Sequence, residues 1–180
     1  MRTALVLSLV CSLGAPAAAQ PTHGAAGATP DSVALSPLAF LVGEWEGTGW
    51  LQMGPQRQPA RVRETARWAA GGAVLVIDGL GTSTEPGSEG RPVHQAFAVV
   101  SYDRAAGAVR FRAYRAGEEI VDTPTIEERR LVWRRPAPGG GQVRFTMSLT
   151  PAGEWHEVGE FSRDGASWTR FLEMTLRRVR

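Results

Sequence analysis

The sequence predicts an all-β protein: a single antiparallel up-and-down β-barrel of about ten strands, with a short N-terminal helix. Short segments with alternating apolar and polar residues follow one another along the chain, separated by clusters of Gly, Pro and Asp. No stretch of ten or more residues shows the 3.6-residue period of an amphipathic helix. A meander of this size removes its edge strands by closing, which favours a barrel over the alternative, a sandwich of two sheets.

The strand boundaries follow from the turn signals. The clearest alternation places Val143, Phe145 and Met147 on one face and charged or hydroxyl residues on the other. A Pro near the start of 37–42 predicts a short helical turn before the first strand. The predicted strands are residues 44–53, 60–69, 73–80, 93–102, 108–115, 118–126, 129–135, 142–150, 154–162 and 168–179.

The first nineteen residues are predicted to be a secretory signal peptide. Arg2 supplies the positive end, residues 4–13 form an apolar segment, and Ala17-Ala18-Ala19 precede a cleavage site at Gln20. A lipoprotein signal acylated at Cys11 is the weaker alternative, because valine precedes that cysteine where a small residue is expected. We therefore expect the protein in a bacterial periplasm or outside the cell.

Composition narrows the class of protein further. The 180 residues include 20 basic residues, all Arg, and 18 acidic ones, a balance that does not predict a nucleic-acid partner. Cys11 is the only cysteine, so signal cleavage leaves no thiol for disulfides, catalysis or metal binding. No later segment approaches the roughly 20 apolar residues of a membrane-spanning helix. Residues 20–35 are small and polar and predict a disordered leader, so the predicted barrel domain covers residues 36–180.

A short helix followed by Gly-x-Trp opens the predicted domain. Residues 38–49, Leu-Ala-Phe-Leu-Val-Gly-Glu-Trp-Glu-Gly-Thr-Gly, resemble the entry of the calycin-type barrels, which include lipocalins, fatty-acid-binding proteins and nitrobindins. The resemblance covers about residues 37–179 and extends to exported bacterial proteins of unknown function. It implies that Trp45 packs at the barrel base against one of two arginines in a cation–π contact. The implied structural signature comprises Gly43, Trp45, Gly47, Gly49, Arg177 and Arg178.

The same resemblance bears on haem. Nitrobindins bind haem through the His of a C-terminal His-Leu-x-Ala-x-Leu-x-Arg motif, and the matching segment here is residues 171–178. Phe171 occupies the position of the iron ligand and has no lone pair to donate. The resemblance therefore implies the fold without haem, and we predict no other cofactor and no metal site.

Four polar residues fall on faces that the alternation assigns to the barrel interior: Glu64, Gln95, Glu157 and Arg170. Because an unpaired buried charge is costly, they should pair with one another or line a wet cavity. One hypothesis makes Arg170 the clamp for a ligand carboxylate, with Glu64 and Gln95 bonding the rest of the ligand. The alternatives are an internal bridge between Arg170 and a glutamate, or assigned faces that are wrong by one residue.

Aromatic residues are assigned to the same interior. Barrels of about eight strands are filled by side chains or hold one small ligand, and ten strands leave more room, so a pocket and a filled core both stay open. His94 and His156 are expected at the surface or rim rather than as a metal pair or a general base. The predicted apolar ligand contacts are Trp68, Phe97, Trp155 and Trp168.

These observations favour a non-catalytic, exported barrel that binds a small, largely apolar molecule, with a carboxylate on the ligand as one option. The first alternative is an enzyme, a hydrolase or isomerase that uses Glu, His or Arg in the cavity. The second is a ligand-free barrel with a structural or interaction role. The sequence does not indicate an oligomeric state.

Overall fold

The structure, a computed structural model, describes residues 29–115 and 117–180. The predicted signal peptide and residues 20–28 of the predicted leader lie outside them. The described chain opens with α1 (Pro30–Leu35) and a 3-10 turn (Ser36–Leu41), and a second 3-10 turn (Ala70–Gly72) joins the second and third strands. Eleven strands follow α1: β1 (Gly43–Met53), β2 (Gln56–Ala69), β3 (Val74–Ser83), β4 (Pro92–Asp103), β5 (Ala108–Arg115), β6 (Glu118–Asp122), β7 (Thr125–Glu127), β8 (Arg130–Pro136), β9 (Gln142–Leu149), β10 (Trp155–Ser162) and β11 (Thr169–Arg178).

Helix α1 belongs to the folded domain, so the prediction of a disordered leader is wrong for residues 30–35. Thr29 and Ser32 form a capping box, in which each side chain bonds the backbone N–H of the other. Leu35 is fully buried at the other end of the helix. Asp31 forms a bidentate ion pair with Arg104, which ties α1 to the turn after β4.

The strands form one antiparallel sheet in the order β6-β5-β4-β3-β2-β1-β11-β10-β9-β8-β7. The predicted all-β, up-and-down arrangement is confirmed, with eleven strands in place of about ten. The extra strand arises because the predicted strand 118–126 is interrupted between Asp122 and Thr125. Pro124 lies in this gap and has no N–H to donate to a sheet ladder.

The sheet curls into a half-barrel, and its two edge strands, β6 and β7, are consecutive in the chain. Within the described residues no ladder joins these edges, so the predicted closure of the barrel is not observed. A hydrogen bond to a side chain connects the two ends of the sheet: the backbone N–H of Arg134 on β8 donates to Oδ2 of Asp122 on β6, at 2.7 Å. None of the described helices is long and apolar enough to cross a membrane.

Trp45 organises the base of the half-barrel. Its indole Nε1 donates to the carbonyl of Leu41, at 2.8 Å, and its ring meets Trp155 edge to face, with centroids 5.7 Å apart. The guanidinium of Arg178 lies 4.1 Å from the centre of the Trp45 ring and donates to the carbonyls of Phe40 and Val42. The base is thus held by one residue from each end of the domain.

The remaining signature residues have different surroundings. Arg177 points outward to an ion pair with Glu154. Gly47 and Gly49 lie where β1 approaches β11 so closely that a Cβ would collide with the carbonyl oxygens of β11. Gly43 has a φ of +141°, which an L side chain rarely adopts.

Candidate functional site

The inner face of the half-barrel encloses a cavity of about 240 Å³. Its wall contains three stacked rings, with Trp133 between Phe111 and Phe145 at centroid distances of 4.9 and 4.3 Å. The small side chains of Ala98 and Ala113, on β4 and β5, also face it. Small residues beside large aromatic ones leave the interior incompletely filled. A filled core, one of the two sequence-based alternatives, is therefore not what the structure has.

Glu64 is the most deeply buried charged residue of the described chain, with 4% of its surface exposed. It faces Gly79 across the β2–β3 ladder, and a Cβ on residue 79 would collide with its carboxyl oxygens. Burial, together with the nearby carboxyl groups of Glu157 and Asp78, raises the pKa of Glu64 well above its usual range. Its carboxyl group therefore favours the protonated, hydrogen-bond-donating form.

Glu157 reaches the same cavity from β10, one inward position beyond Trp155. Its ladder neighbours are Met147 and Met174, so its immediate surroundings are apolar. Burial raises the pKa of Glu157 to about 7, and the adjacent indole of Trp155 opposes the rise. That indole N–H does not reach normal hydrogen-bond geometry with any described acceptor. Glu157 is therefore poised between its two protonation states near neutral pH.

His94 also lines the cavity, contrary to the prediction of a surface or rim position. Its Nδ1 is buried and has no hydrogen-bond partner among residues 29–115 and 117–180. Burial, with a further contribution from the charge of Arg115, lowers the pKa of His94 to about 4. The imidazole is therefore neutral at physiological pH.

Polar groups complete the lining. The Nε1 of Trp133 is buried without an acceptor in the described part of the chain. Arg115, Glu118 and Arg135 lie at the ends of β5, β6 and β8, where the cavity opens. The site thus combines an apolar body, two carboxyl groups and an imidazole inside, and guanidinium groups at its mouth.

The structure corrects the assigned face of β4. Gln95 is exposed on the outer face, and Phe97 is 40% exposed there, with its ring 6.2 Å from Tyr114, although Phe97 also borders the cavity. A β-bulge at Val93 breaks the ladder between β3 and β4, so that Val93 and His94 both turn toward the interior. Because Val93 is apolar, the alternation counted from it placed Gln95 and Phe97 inside, which is the wrong face for the rest of the strand.

Arg170 and Trp168 are also placed on the outer face, and the predicted role of Arg170 as an interior ligand clamp is wrong. Arg170 donates to Glu173 at 2.6 Å, and Trp168 stacks under the guanidinium of Arg144 at 3.9 Å. A second bulge, at Phe171, lets Phe171 and Leu172 both face inward and turns Arg170 outward.

Two of the predicted apolar ligand contacts are packed outside the cavity lining. Trp155 is fully buried in the base against Trp45, and Trp68 is half-buried beside the core. His156 lies on the outer face, as expected, with its Nε2 3.1 Å from Oε1 of Glu173. Although partial burial acts against it, hydrogen bonds with His156 and Arg170 lower the pKa of Glu173.

Phe171, which the sequence resemblance aligns with the iron ligand of nitrobindins, packs into the interior. Its ring packs edge to face on Phe145, with centroids 5.6 Å apart, and approaches Gly159. The ring offers no donor atom for a metal. In the described ranges, no cluster of three or more His, Cys, Asp or Glu residues could hold a metal ion.

A wider groove of about 810 Å³ lies on the outer face of the sheet, where Leu80, Phe97 and Tyr114 are each about 40% exposed. It is open to solvent, and its charged residues are accessible, as on any sheet surface. The inner cavity is the stronger candidate because it contains buried polar groups, among them His94 Nδ1 and Trp133 Nε1, that have no hydrogen-bond partner in the described part of the chain.

Comparison with known proteins supports the fold alone. Rv2717c from M. tuberculosis, a protein of known crystal structure, matches 82% of this chain and 98% of its own, with a TM-score of 0.58 and 16% sequence identity. No protein-family model matches the sequence. No curated protein matches it either.

Sequence reasoning identified Glu64 and Glu157 as interior residues and placed Trp133 among the inward aromatic residues, but it missed His94 and the two mouth arginines as parts of the same site. Arg115 ends one predicted strand, Glu118 begins the next and Arg135 ends a third. These positions beside turns were the only sequence signal for a charged rim. The bulge that turns His94 inward has no comparable signal, because the alternation of β4 reads equally well in either parity.

Proposed function

We propose that this protein binds a small, largely apolar molecule in the half-barrel cavity, and that it does so after export to the periplasm or the cell exterior. The cavity of about 240 Å³ carries the proposal. It is larger than the roughly 150 Å³ cavity that accepts benzene and smaller than the roughly 300–1,000 Å³ of typical ligand pockets. A ligand of one or two rings fits this range, with its apolar face against Trp133.

A carboxylate on the ligand remains an option, with different partners from those expected. Arg170 lies on the outer face, whereas Arg115 and Arg135 border the cavity mouth. Guanidinium groups bind carboxylates through paired N–H donors. A ligand carboxylate would therefore lie at the mouth, and the rest of the ligand inside.

Small apolar probes test the binding function. We expect toluene and indole to bind the purified protein, as measured by calorimetry and by chemical-shift changes at residues lining the cavity. Ala98→Leu fills the cavity and should abolish binding, whereas Gln95→Leu, an outward substitution on the same strand, should leave it intact. Equal binding by the native protein and Ala98→Leu would contradict a cavity site.

The natural ligand can be sought directly. Native mass spectrometry of protein purified from its own compartment, with an absorbance scan of the same sample, should show a reproducible added mass and no Soret band. A Soret band would contradict our prediction that haem is absent. N-terminal sequencing of the same sample should begin at Gln20, and retention of Met1 would contradict export through the predicted signal.

Acid–base catalysis is a second candidate function, favoured by one observation: two glutamates and a neutral histidine line the same cavity with pKa values displaced from their ordinary ranges. An isomerase or hydrolase would convert the ligand that mass spectrometry identifies. Incubating that ligand with the protein in deuterated water tests this. Hydrolysis or deuterium incorporation would support an enzyme, and an unchanged ligand would support a binding protein.

A further inference from the structure

Glu64 and Glu157 both face the cavity, and neither forms an ion pair with any cation of the described residues. Every ion pair found within the described chain lies at or near the surface, and none includes either residue. Both side chains are more than nine-tenths buried. In the described part of the chain, these two buried carboxyl groups therefore lack the positively charged partner that would offset the cost of burying their charge.

The fold maintains this arrangement although apolar residues would be less costly. A buried carboxyl group without a partner destabilises a protein, and apolar residues of similar volume are often at least as stable. The residue facing Glu64 is Gly79, whose missing side chain leaves room for the carboxyl group. The residues paired with Glu157 on the two neighbouring strands are Met147 and Met174. The two acids therefore border the cavity beside a glycine and two methionines, and no hydrogen bond or ion pair of the described residues includes either carboxyl group.

The apolar wall and the unpartnered polar atoms define what fits beside them. Phe111 and Phe145 cover the two faces of Trp133, so the edge of its indole and the outer parts of the flanking rings form the apolar wall. The Nδ1 of His94 is buried without a partner among the described residues, and in the neutral tautomer with its proton on Nε2 this nitrogen accepts a hydrogen bond. A ligand with a ring and a nitrogen-based donor group meets the wall, the carboxyl groups and the imidazole together.

We infer that the cavity binds a small organic amine, whose ammonium group lies between the carboxyl groups of Glu64 and Glu157 and whose apolar part packs against Trp133. This inference rests on the proposed ligand-binding function and specifies the chemical class of the ligand. An ammonium group donates up to three hydrogen bonds and supplies the missing positive charge. A ligand carboxylate in the same place would be repelled by whichever of the two acids is ionised.

Three phenylalkyl probes of similar size and different charge test the inference: phenethylamine, 2-phenylethanol and 3-phenylpropionate. We expect calorimetry at about pH 8, where Glu157 is mainly ionised, to show phenethylamine binding at least tenfold more tightly than either of the others. Glu64→Gln and Glu157→Gln should each weaken phenethylamine binding at least tenfold and change 2-phenylethanol binding less than threefold. Glu173→Gln, on the outer face, is the matched control and should change neither.

The outcomes separate this inference from the proposed function. If 2-phenylethanol or 3-phenylpropionate binds as tightly as phenethylamine, or if the amine preference survives in both glutamine variants, the amine inference is overturned and cavity binding stands. If toluene binds and phenethylamine does not, the inference alone is again overturned. If no probe binds, both fail. Circular dichroism establishes that each variant is folded, and either glutamine variant that folds is sufficient.

Discussion

Gly79 and Glu64 are direct neighbours across the β2–β3 ladder, and the carboxyl group of Glu64 occupies the space that a Cβ of residue 79 would need. The position of the buried acid thus depends on a missing side chain on the next strand. Because strands β2 and β3 pair along ten residues, neither strand can shift locally to create that space.

Gly79→Ala should therefore destabilise the protein. Overpacking of a well-formed interior costs about 1–3 kcal/mol, and we expect a loss in this range by urea denaturation. In the background of Glu64→Ala, which removes the colliding group, the same glycine substitution should cost markedly less. Equal losses in the two backgrounds would show that Gly79 does not act through Glu64.

Glu157→Gln should change how stability depends on pH. The pKa of Glu157 is about 7 in the folded protein against an ordinary value of 4.5, so between these limits the folded state holds a proton that the unfolded state has lost. The free energy of unfolding should therefore fall as pH rises through this window, by about 3 kcal/mol in total. The stabilising contribution is complete below about pH 4.5.

The variant removes this dependence, because its amide does not ionise. At about pH 5 it should unfold at nearly the same urea concentration as the native protein, and at about pH 8 it should be the more stable of the two. Glu46→Gln, an exposed substitution on β1, is the control and should shift stability equally at both pH values. If the difference in stability between the native protein and Glu157→Gln is the same at pH 8 as at pH 5, the raised pKa of Glu157 is contradicted.

His94 should give a slope of the opposite sign. Its pKa of about 4 in the folded state lies below the ordinary 6.5, so the unfolded state takes up a proton first as pH falls. His94→Gln should remove the corresponding rise in stability between about pH 4 and 6.5. Chemical shifts of the imidazole should report its titration, and an ordinary pKa would contradict a desolvated site. The other titratable groups of the described chain that line this cavity are Glu64, Glu157, Tyr114, Arg115, Glu118 and Arg135.

Arg178 and Arg177 are adjacent in sequence but should differ in their contribution to stability. Arg178 stacks on Trp45 and donates to two backbone carbonyls, whereas Arg177 forms an exposed ion pair with Glu154. Arg178→Ala should cost about 1–2 kcal/mol, and Arg177→Ala less than about 0.5 kcal/mol. Thermal unfolding of the two variants measures the difference. Similar losses in the two variants would show that the contacts of Arg178 with Trp45 and the backbone do not stabilise the base of the half-barrel.

Much of the architecture could be predicted because alternation and turn residues are local signals. The period of two along β2 identified Val62, Glu64 and Ala66 as one inward face, and the structure buries all three. The same rule on β10 placed Trp155 and Glu157 inward. Where a strand is regular from end to end, its own sequence is sufficient to assign its faces.

The irregular strands could not be assigned in this way. The bulges at Val93 and Phe171 each insert one residue into a ladder, which reverses the faces of the residues on one side of the insertion. As a result Gln95 and Arg170, both expected inside, lie outside, while His94 lies inside. A bulge is a property of two strands together, and the sequence of one strand does not contain it.

Local signals were enough to predict an up-and-down sheet with Glu64 and Glu157 in its interior, because turns and faces follow from neighbouring residues, and the Gly-x-Trp motif indicated its entry at Trp45. Three features are visible only in the folded chain: Arg178 rather than Arg177 covers Trp45, the edges β6 and β7 do not pair with each other in the described residues, and His94 joins the two acids around a cavity. These features depend on register between strands distant in sequence, and register is set by how the whole sheet pairs and packs.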